Sequence, residues 1–271
     1  MSEAPASLQP TPKLKIYLES RYRKLERGLP QTIFYCPECK GNRRRAKKCT
    51  RCGGFGKLTK DSVQELLARC ILPAFQSRHG KFHGAGREDL DVLMLGSGRP
   101  FIFEIVGARN SDVDLASLDA RIAAACAGRV ELQPFERVTR ERVKYWKEGH
   151  FSKVYRVRVQ VAAPVGRTSV EALVGQDLEI VQRTPTRVAH RRADLERARR
   201  VTVVAARDME DREFVLDLQC MHGTYVKEWI SGDGGRTKPS LGDLLSVPCE
   251  CSQLDVLDIL TSPSLPSTPS P

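Results

Sequence analysis

No stretch of this sequence is apolar for long enough to cross a bilayer, and its first residues, MSEAPASLQPTPK, lack the hydrophobic run of a signal peptide. The expected compartment is therefore cytoplasmic, with no membrane partner. No internal repeat is present, which sets aside repeat architectures. Acidic residues are scarce at the front: residues 1–60 hold 15 Lys/Arg against 4 Asp/Glu, whereas the remainder holds 29 of each. The whole net charge of +11 thus lies in the first 60 residues. A basic front joined to a neutral body reads as a handle for a polyanion, nucleic acid above all, rather than as a merely soluble tail. Nine cysteines without a secretory leader point to metal binding or burial and not to disulfides.

At 271 residues the chain can bury a substantial core, either as one large domain or as a main domain with a small one. Residues 1–12 and 261–271 are rich in Ser, Pro and Ala or Thr, and are expected to be disordered. Leu14, Leu18, Tyr22 and Leu25 recur at helical spacing from Lys13 onward. A helix is predicted from Asp61 or Ser62, where Glu65 stands three residues beyond Ser62 as in a capping box. The runs LDVLML and FIFEIV read as two strands of a hairpin turned at Gly96–Pro100. A further helix is predicted over Leu115–Ala127, with strands over Val154–Val161, Val201–Ala206 and Phe214–Leu218. Short helices are predicted at Val170–Val174, Tyr225–Ile230 and Leu241–Leu245. Such a mixture indicates an α+β or mixed-sheet domain.

Cys36-Pro-Glu-Cys39 and Cys49-Thr-Arg-Cys52 form two CxxC knuckles nine residues apart. Each can present two thiolates to one tetrahedral ion, and Tyr35–Lys57 holds too few apolar residues for a core of its own. Redox pairs or four free thiols are the other readings, and neither explains two knuckles this close together. The expectation is one structural zinc on Cys36, Cys39, Cys49 and Cys52. The intervening loop then displays Arg43, Arg44, Arg45, Lys47 and Lys48 as a basic finger suited to an RNA backbone. The remaining cysteines read as buried thiols, with Cys249 and Cys251 as a weaker second pair.

Gly86-Arg-Glu-Asp-Leu-Asp-Val92 places a carboxylate cluster at the entry to a strand, which alone fits a solvated turn or a divalent-metal site. The segment HGKFHGAGREDLDVLMLGSGRPFIFEIV, however, resembles the G-R-E-D-x-D-V and G-x-G-R-P-F motifs of the tRNA pseudouridine synthase 10 family of archaea and eukaryotes. Arg183-Thr-Pro-Thr-Arg-Val-Ala-His-Arg-Arg192 is similar to that family's T-P-x-R-V-x-H-R-R stretch. Gly223-Thr-Tyr-Val-Lys-Glu228 and Gly232-Asp-Gly-Gly-Arg-Thr-Lys-Pro239 resemble two more of its blocks, and Leu29-Pro-Gln-Thr32 with the cysteine module resembles archaeal members. The resemblance runs from about Leu29 to Leu260.

The resemblance implies a pseudouridine synthase fold, α+β with a central mixed or antiparallel sheet. Its catalytic domain would cover 61–260, behind a basic zinc-knuckle module at 13–60. It implies tRNA as substrate, a uridine of the T arm (positions 54 and 55) as target, and no cofactor for the chemistry. Asp89 matches the catalytic aspartate, with Asp91 as support. Tyr155, in Lys153-Val-Tyr-Arg156, would stack on the flipped uracil, and Lys227 would pair with Asp89. Leu241 would floor the pocket. Arg87, Arg187, Arg191, Arg192, Tyr225, Arg236 and Lys238 become substrate-binding candidates. The run Arg183–Arg207, with eight arginines against two acids, suits phosphate contact. Typical members carry a large RNA-binding domain ahead of the catalytic one. With so little sequence before residue 13, a partner protein is a candidate source of additional RNA binding. Two other functions fit the residues: an RNA-binding zinc-knuckle protein without catalysis, and a metal-dependent nuclease using Glu88, Asp89 and Asp91.

Overall fold

Leu14, Leu18 and Tyr22 recur every four residues, but all occupy even positions, so the same residues satisfy a period of two. The strand wins. In the computed structural model, which describes residues 14–261, β1 (Lys15–Lys24) buries Ile16, Leu18, Ser20, Tyr22 and Lys24 on one face. This corrects the expected helix. β1, the first part of the expected 13–60 module, lies in the main sheet between β3 and β4. The predicted tails, apart from Thr261, lie outside the described residues.

After β1 come the one-turn helix α1 (Arg43–Ala46), helix α2 (Val63–Ala74), and strands β2 (His79–Gly84) and β3 (Leu93–Val106). Helix α3 (Leu115–Cys126), short strands β4 (Val130–Leu132) and β5 (Glu136–Val138), and helix α4 (Glu141–Glu148) follow. The second half holds β6 (Ser152–Val161), α5 (Arg167–Glu171), β7 (Asp177–Arg183), β8 (Glu196–Arg207) and β9 (Glu213–Cys220). It closes with α6 (Val226–Ser231), β10 (Thr237–Lys238), α7 (Leu241–Leu245) and β11 (Cys249–Leu260). The fold is α+β around one mixed sheet of eleven strands, in the order β10-β7-β8-β9-β6-β11-β3-β1-β4, with β2 also on β3 and β5 on β1. All pairs are antiparallel except β11 with β3.

The expected hairpin is instead one strand of 14 residues. The start of β3 pairs with β11 at Leu93 and Met94, and its second half runs against β1 and β2. Gly96 (φ 56°) and Gly98 (φ 81°) sit within it. A Cβ on Gly96 would fall 1.8 Å from the Leu257 carbonyl oxygen, and one on Gly98 would fall 2.9 Å from that of Tyr22. The glycines therefore permit a close crossing of backbones and not a chain reversal.

Helix α2 begins as its capping residues dictate: the Ser62 hydroxyl accepts the Glu65 amide at 3.2 Å and donates to the Glu65 carboxylate at 2.8 Å. Its apolar stripe, Val63, Leu66, Leu67, Cys70 and Ile71, packs with Leu118, Ile122 and Cys126 of α3 in the main core. Helices α6 and α7 bring Trp229, Ile230 and Leu241 into the same core. No helix among the described residues is long and apolar enough to cross a membrane.

Candidate active site

Asp89 lies in the loop between β2 and β3, not at the start of a strand, and Leu90 and Asp91 form a turn closed by the Val92 amide on the Asp89 carbonyl at 3.2 Å. What fixes this loop is buried beneath it. The Glu88 carboxylate is ion-paired with Nε of Arg99 at 2.8 Å, and both side chains are at most 1% exposed. The Tyr22 hydroxyl donates to Glu88 at 2.7 Å, and the Gln31 amide donates to the Tyr22 oxygen at 2.8 Å and the Gly86 carbonyl at 3.0 Å. Arg99 also donates to the Ala85 carbonyl at 2.7 Å. Burial pushes the Tyr22 hydroxyl well above its usual range, with the Glu88 charge adding to it, so the phenol stays neutral and donates.

On the far side of the loop, the fully buried Lys24 donates to the carbonyls of Leu29, Asp89 and Leu90 at 2.8, 3.2 and 3.2 Å. A buried ammonium is tolerable only because all three donors are used. Of Tyr22, Lys24, Gln31, Glu88 and Arg99, sequence singled out only Glu88, as a nuclease candidate; Gln31 and Arg99 stood in the resembling motifs and Tyr22 in an apolar pattern without a role, and Lys24 was not noted. Glu88 looked like a surface acid until its partner Arg99 arrived from β3.

The exposed end of the loop meets the second half of the sheet. The Arg187 guanidinium stands 3.7 Å from the Asp89 carboxylate, donates to the buried Glu228 at 2.6 Å, and lies 5.9 Å from the Tyr225 ring centre. Lys227 pairs with Asp91 at 2.8 Å and not with Asp89, so the expected partnership is corrected: the cation on Asp89 is Arg187. Burial works to raise the Asp91 carboxyl, but the Lys227 contact outweighs it and leaves it below its usual range. Tyr155 lies in β6 between Val256 of β11 and Leu218 of β9. Burial pushes its phenol well above the usual tyrosine range, with nearby Cys220 adding to it and Arg99 pulling the other way.

The other candidates divide by their partners. Arg192 donates to the Tyr225 hydroxyl at 2.9 Å, while Gln182 bonds the Tyr225 backbone on both sides at 2.9 Å. Arg87 and Lys238 are exposed. Arg191 ends the 3-10 turn Thr186–Arg191. Arg236 donates to the Thr184 carbonyl at 2.7 Å and pairs with Asp194 at 2.5 Å. The arginine run is likewise partly neutralised: Arg183 pairs with Asp194, Arg200 with Asp177 and Glu179, and Arg207 with Asp217. Leu241 opens α7 and is fully buried in the main core. Glu88, Asp89 and Asp91 each have a different basic partner, so they do not converge as the ligand set of a two-metal nuclease would.

The four knuckle cysteines do converge. Their sulfurs all lie within 4.8 Å of one another, with Cys36–Cys49 and Cys39–Cys52 both at 3.7 Å. A tetrahedral ion with four thiolates about 2.3 Å away would set sulfurs roughly 3.8 Å apart, so the cluster could hold a metal ion. The Gly56 amide donates to Cys52 Sγ at 3.2 Å, as it would to a thiolate. Asn42 caps α1 by accepting the Arg44 and Arg45 amides at 3.0 and 3.2 Å. Arg43, Arg44, Arg45, Lys47 and Lys48 are all exposed. Cys249 and Cys251 form no second cluster with other ligating groups among the described residues.

Among proteins of known sequence, the chain is 41% identical over 245 residues to the tRNA pseudouridine synthase Pus10 of Methanothrix thermoacetophila. That match covers 90% of this chain and 53% of the relative. It is 42% identical to the protein of the same name from Halorubrum lacusprofundi, over 90% of this chain and 58% of the relative. The chain thus spans little more than half the length of these curated relatives. Among solved structures, a chain of a Cbf5-Nop10-Gar1 complex overlays on 73% of this chain and 45% of its own length, with a TM-score of 0.40 and 17% identity. Residues 17–260 match the family described as Pus10, C-terminal, and the chain belongs to that family.

Proposed function

We propose that this protein isomerises uridine to pseudouridine in tRNA, with the T arm, at positions 54 and 55, as its target. The observation that supports this most is an exposed carboxylate, Asp89, on a loop held rigid from below and faced by a guanidinium. The curated relatives that share this sequence bear the name of that activity over a longer chain.

The reaction breaks the N1–C1′ bond, turns the base, and forms a C5–C1′ bond. It needs no redox partner, only an oxygen that can attack C1′ or accept a proton during a glycal route. Asp89 is half exposed and supplies that oxygen. Glu88, Arg99 and Lys24 hold its backbone, so little reorganisation is needed on reaching the transition state. Arg187 attracts and orients the carboxylate. A uridine inside a duplex cannot be reached, so the base must leave its stack, and the neutral Tyr155 ring offers the flat partner for it. Lys227 acts one step removed, holding Asp91 and with it the turn that carries Asp89.

In the front module the ion is zinc, held by Cys36, Cys39, Cys49 and Cys52 as a structural centre that fixes the basic finger for the RNA backbone. The purified chain, incubated with tRNA and mapped for pseudouridine at single-nucleotide resolution, should convert T-arm uridines. Binding of tRNA with no conversion at any position would favour the non-catalytic RNA-binding reading instead.

A further inference from the structure

Around the site most cations are matched by acids, but one group is not. Lys153 points to the same face of β6 as Tyr155, two residues on, and stands opposite Cys220 of β9. Its Cε lies 3.9 Å from the position of a Cβ on Gly86, so the side chain rests on the loop three residues before Asp89. Among the described residues its ammonium has no carboxylate partner, and burial together with the Arg99 charge brings it down to about 8. Arg199 is in the same condition. Among the described residues its one side-chain bond is to the Ala198 carbonyl at 2.7 Å and its buried Nε has no partner, and its guanidinium packs 3.3 Å from a Cβ position on Gly223.

Cys220 pairs with Lys153 on one side and with Val201, two residues beyond Arg199, on the other, so both cations project from one face of the sheet. His222, which feels both charges, meets the His150 ring edge to face at 4.8 Å. Burial pushes His222 down, and Lys153, His150 and Arg199 push it further. Of the other cations nearby, Arg99 is committed to Glu88 and Arg197 donates to the Thr184 hydroxyl at 3.2 Å and the Leu195 carbonyl at 3.1 Å, while the acids along β7, Asp177 and Glu179, are taken by Arg200 at 3.4 and 3.0 Å. Half-buried positive charges with no counter-ion are costly unless an anion arrives to complete them. A flipped nucleotide brings one, because its backbone phosphates must come within a few ångströms of the base pocket.

We propose that Lys153 and Arg199 form the receptor for a single phosphodiester of the RNA strand beside the target uridine. The inference rests on the proposed function for the identity of the polyanion. It assigns a different task from that of the cysteine module: the exposed finger grips the duplex at a distance, whereas this pair fixes the phosphate that must move when the base turns out.

The test uses the full chain and T-arm stem-loop RNAs in which one linkage at a time, on either side of the target uridine, is a neutral methylphosphonate. Dissociation constants are measured at fixed salt for wild type, K153M, K153R and R199M. For wild type, one linkage should stand out, its neutral form weakening binding roughly tenfold. K153M should lose a similar factor on unmodified RNA and become indifferent to that linkage, and K153R should regain most of the affinity. Equal sensitivity of wild type and K153M to every linkage would overturn the proposal. If K153M showed no cooperative unfolding, R199M carries the same comparison, and additive losses there would overturn it equally. Because the readout is binding, linkage-specific coupling without pseudouridine formation would sink the proposed activity and leave this contact standing. Conversion without any coupling would do the opposite.

Discussion

The cysteine module and the Asp89 loop both concentrate charge, but they hold it in opposite ways. In the module, five cations project from or beside a one-turn helix into solvent, above a small cluster of the four cysteines and Ala46. Around Asp89 the charges are interlocked: Glu88 with Arg99 and Tyr22, Lys24 with three carbonyls, Arg187 with both Asp89 and Glu228, and Lys227 with Asp91. Free surface cations suit a long-range, salt-screened attraction that tolerates many backbone geometries. Interlocked charges suit a site whose atoms must not move. On the proposed function, one region recruits and the other is preorganised.

The sharpest way to break this contrast is at Lys24. Lys24→Met removes all three donors while keeping most of the side-chain volume, leaving the carbonyls of Leu29, Asp89 and Leu90 unsatisfied in the interior. Denaturant unfolding should show a loss of about 3 kcal/mol or more, whereas replacing any exposed finger cation should change stability by under about 0.5 kcal/mol. A small effect at Lys24 would mean that water reaches the underside of the loop.

The second test concerns the metal. Cys39→Ser should release the ion from the module and loosen Tyr35–Lys57, read as amide exchange there, while the sheet keeps its protection. Protein purified without chelator and lacking a stoichiometric ion on elemental analysis would contradict the zinc centre.

Within the site, the partners of the two aspartates predict an order. Arg187→Gln should slow single-turnover isomerisation by roughly a hundredfold, because it removes the cation that faces Asp89. Lys227→Ala acts only through Asp91 and should cost about tenfold or less. Neither should weaken tRNA binding as much as it slows chemistry. The reverse order would restore Lys227 as the direct partner of Asp89. The smallest effect on rate belongs to the finger: alanine at Arg43, Arg44 and Arg45 should leave the saturated rate unchanged. It should also lower the slope of log affinity against log salt by up to about three phosphate contacts, each worth roughly 0.7 to 0.9 in slope.

How far the sequence foretold this depends on the range of each interaction. The four-cysteine cluster that could hold a metal ion, the capping box at Ser62 and the short helices rest on near neighbours in sequence, and all were legible. β1 was misread because Leu14, Leu18 and Tyr22 fit two periods at once, and only pairing with β3 decides between them. Two glycines suggested a turn in Gly96–Pro100, but Gly96 admits the Leu257 backbone of β11 and Gly98 the Tyr22 backbone of β1, both remote in sequence. The acidic and cysteine-rich Cys249–Leu260 did not read as a strand, because bulges near Gln253 and Asp258 interrupt its alternation. The candidate aspartate was visible through motif resemblance, yet its basic partner was misassigned, since Arg187 and Lys227 are equally basic in sequence and only folding decides which reaches which acid. The buried support under Asp89 joins β1, the Gln31 segment, Glu88 and β3, and no local pattern marks such a set.

The central claim is that the exposed oxygen of Asp89 performs the reaction while other groups hold the RNA. Asp89→Asn, which preserves shape and the buried network below, measures this directly in single-turnover assays with saturating protein, alongside tRNA dissociation constants. The account predicts a rate lowered by at least roughly 10²- to 10⁴-fold with affinity changed by less than about threefold, since the carboxylate contributes no phosphate contact. A variant that still converts T-arm uridine at close to the wild-type rate would contradict the account.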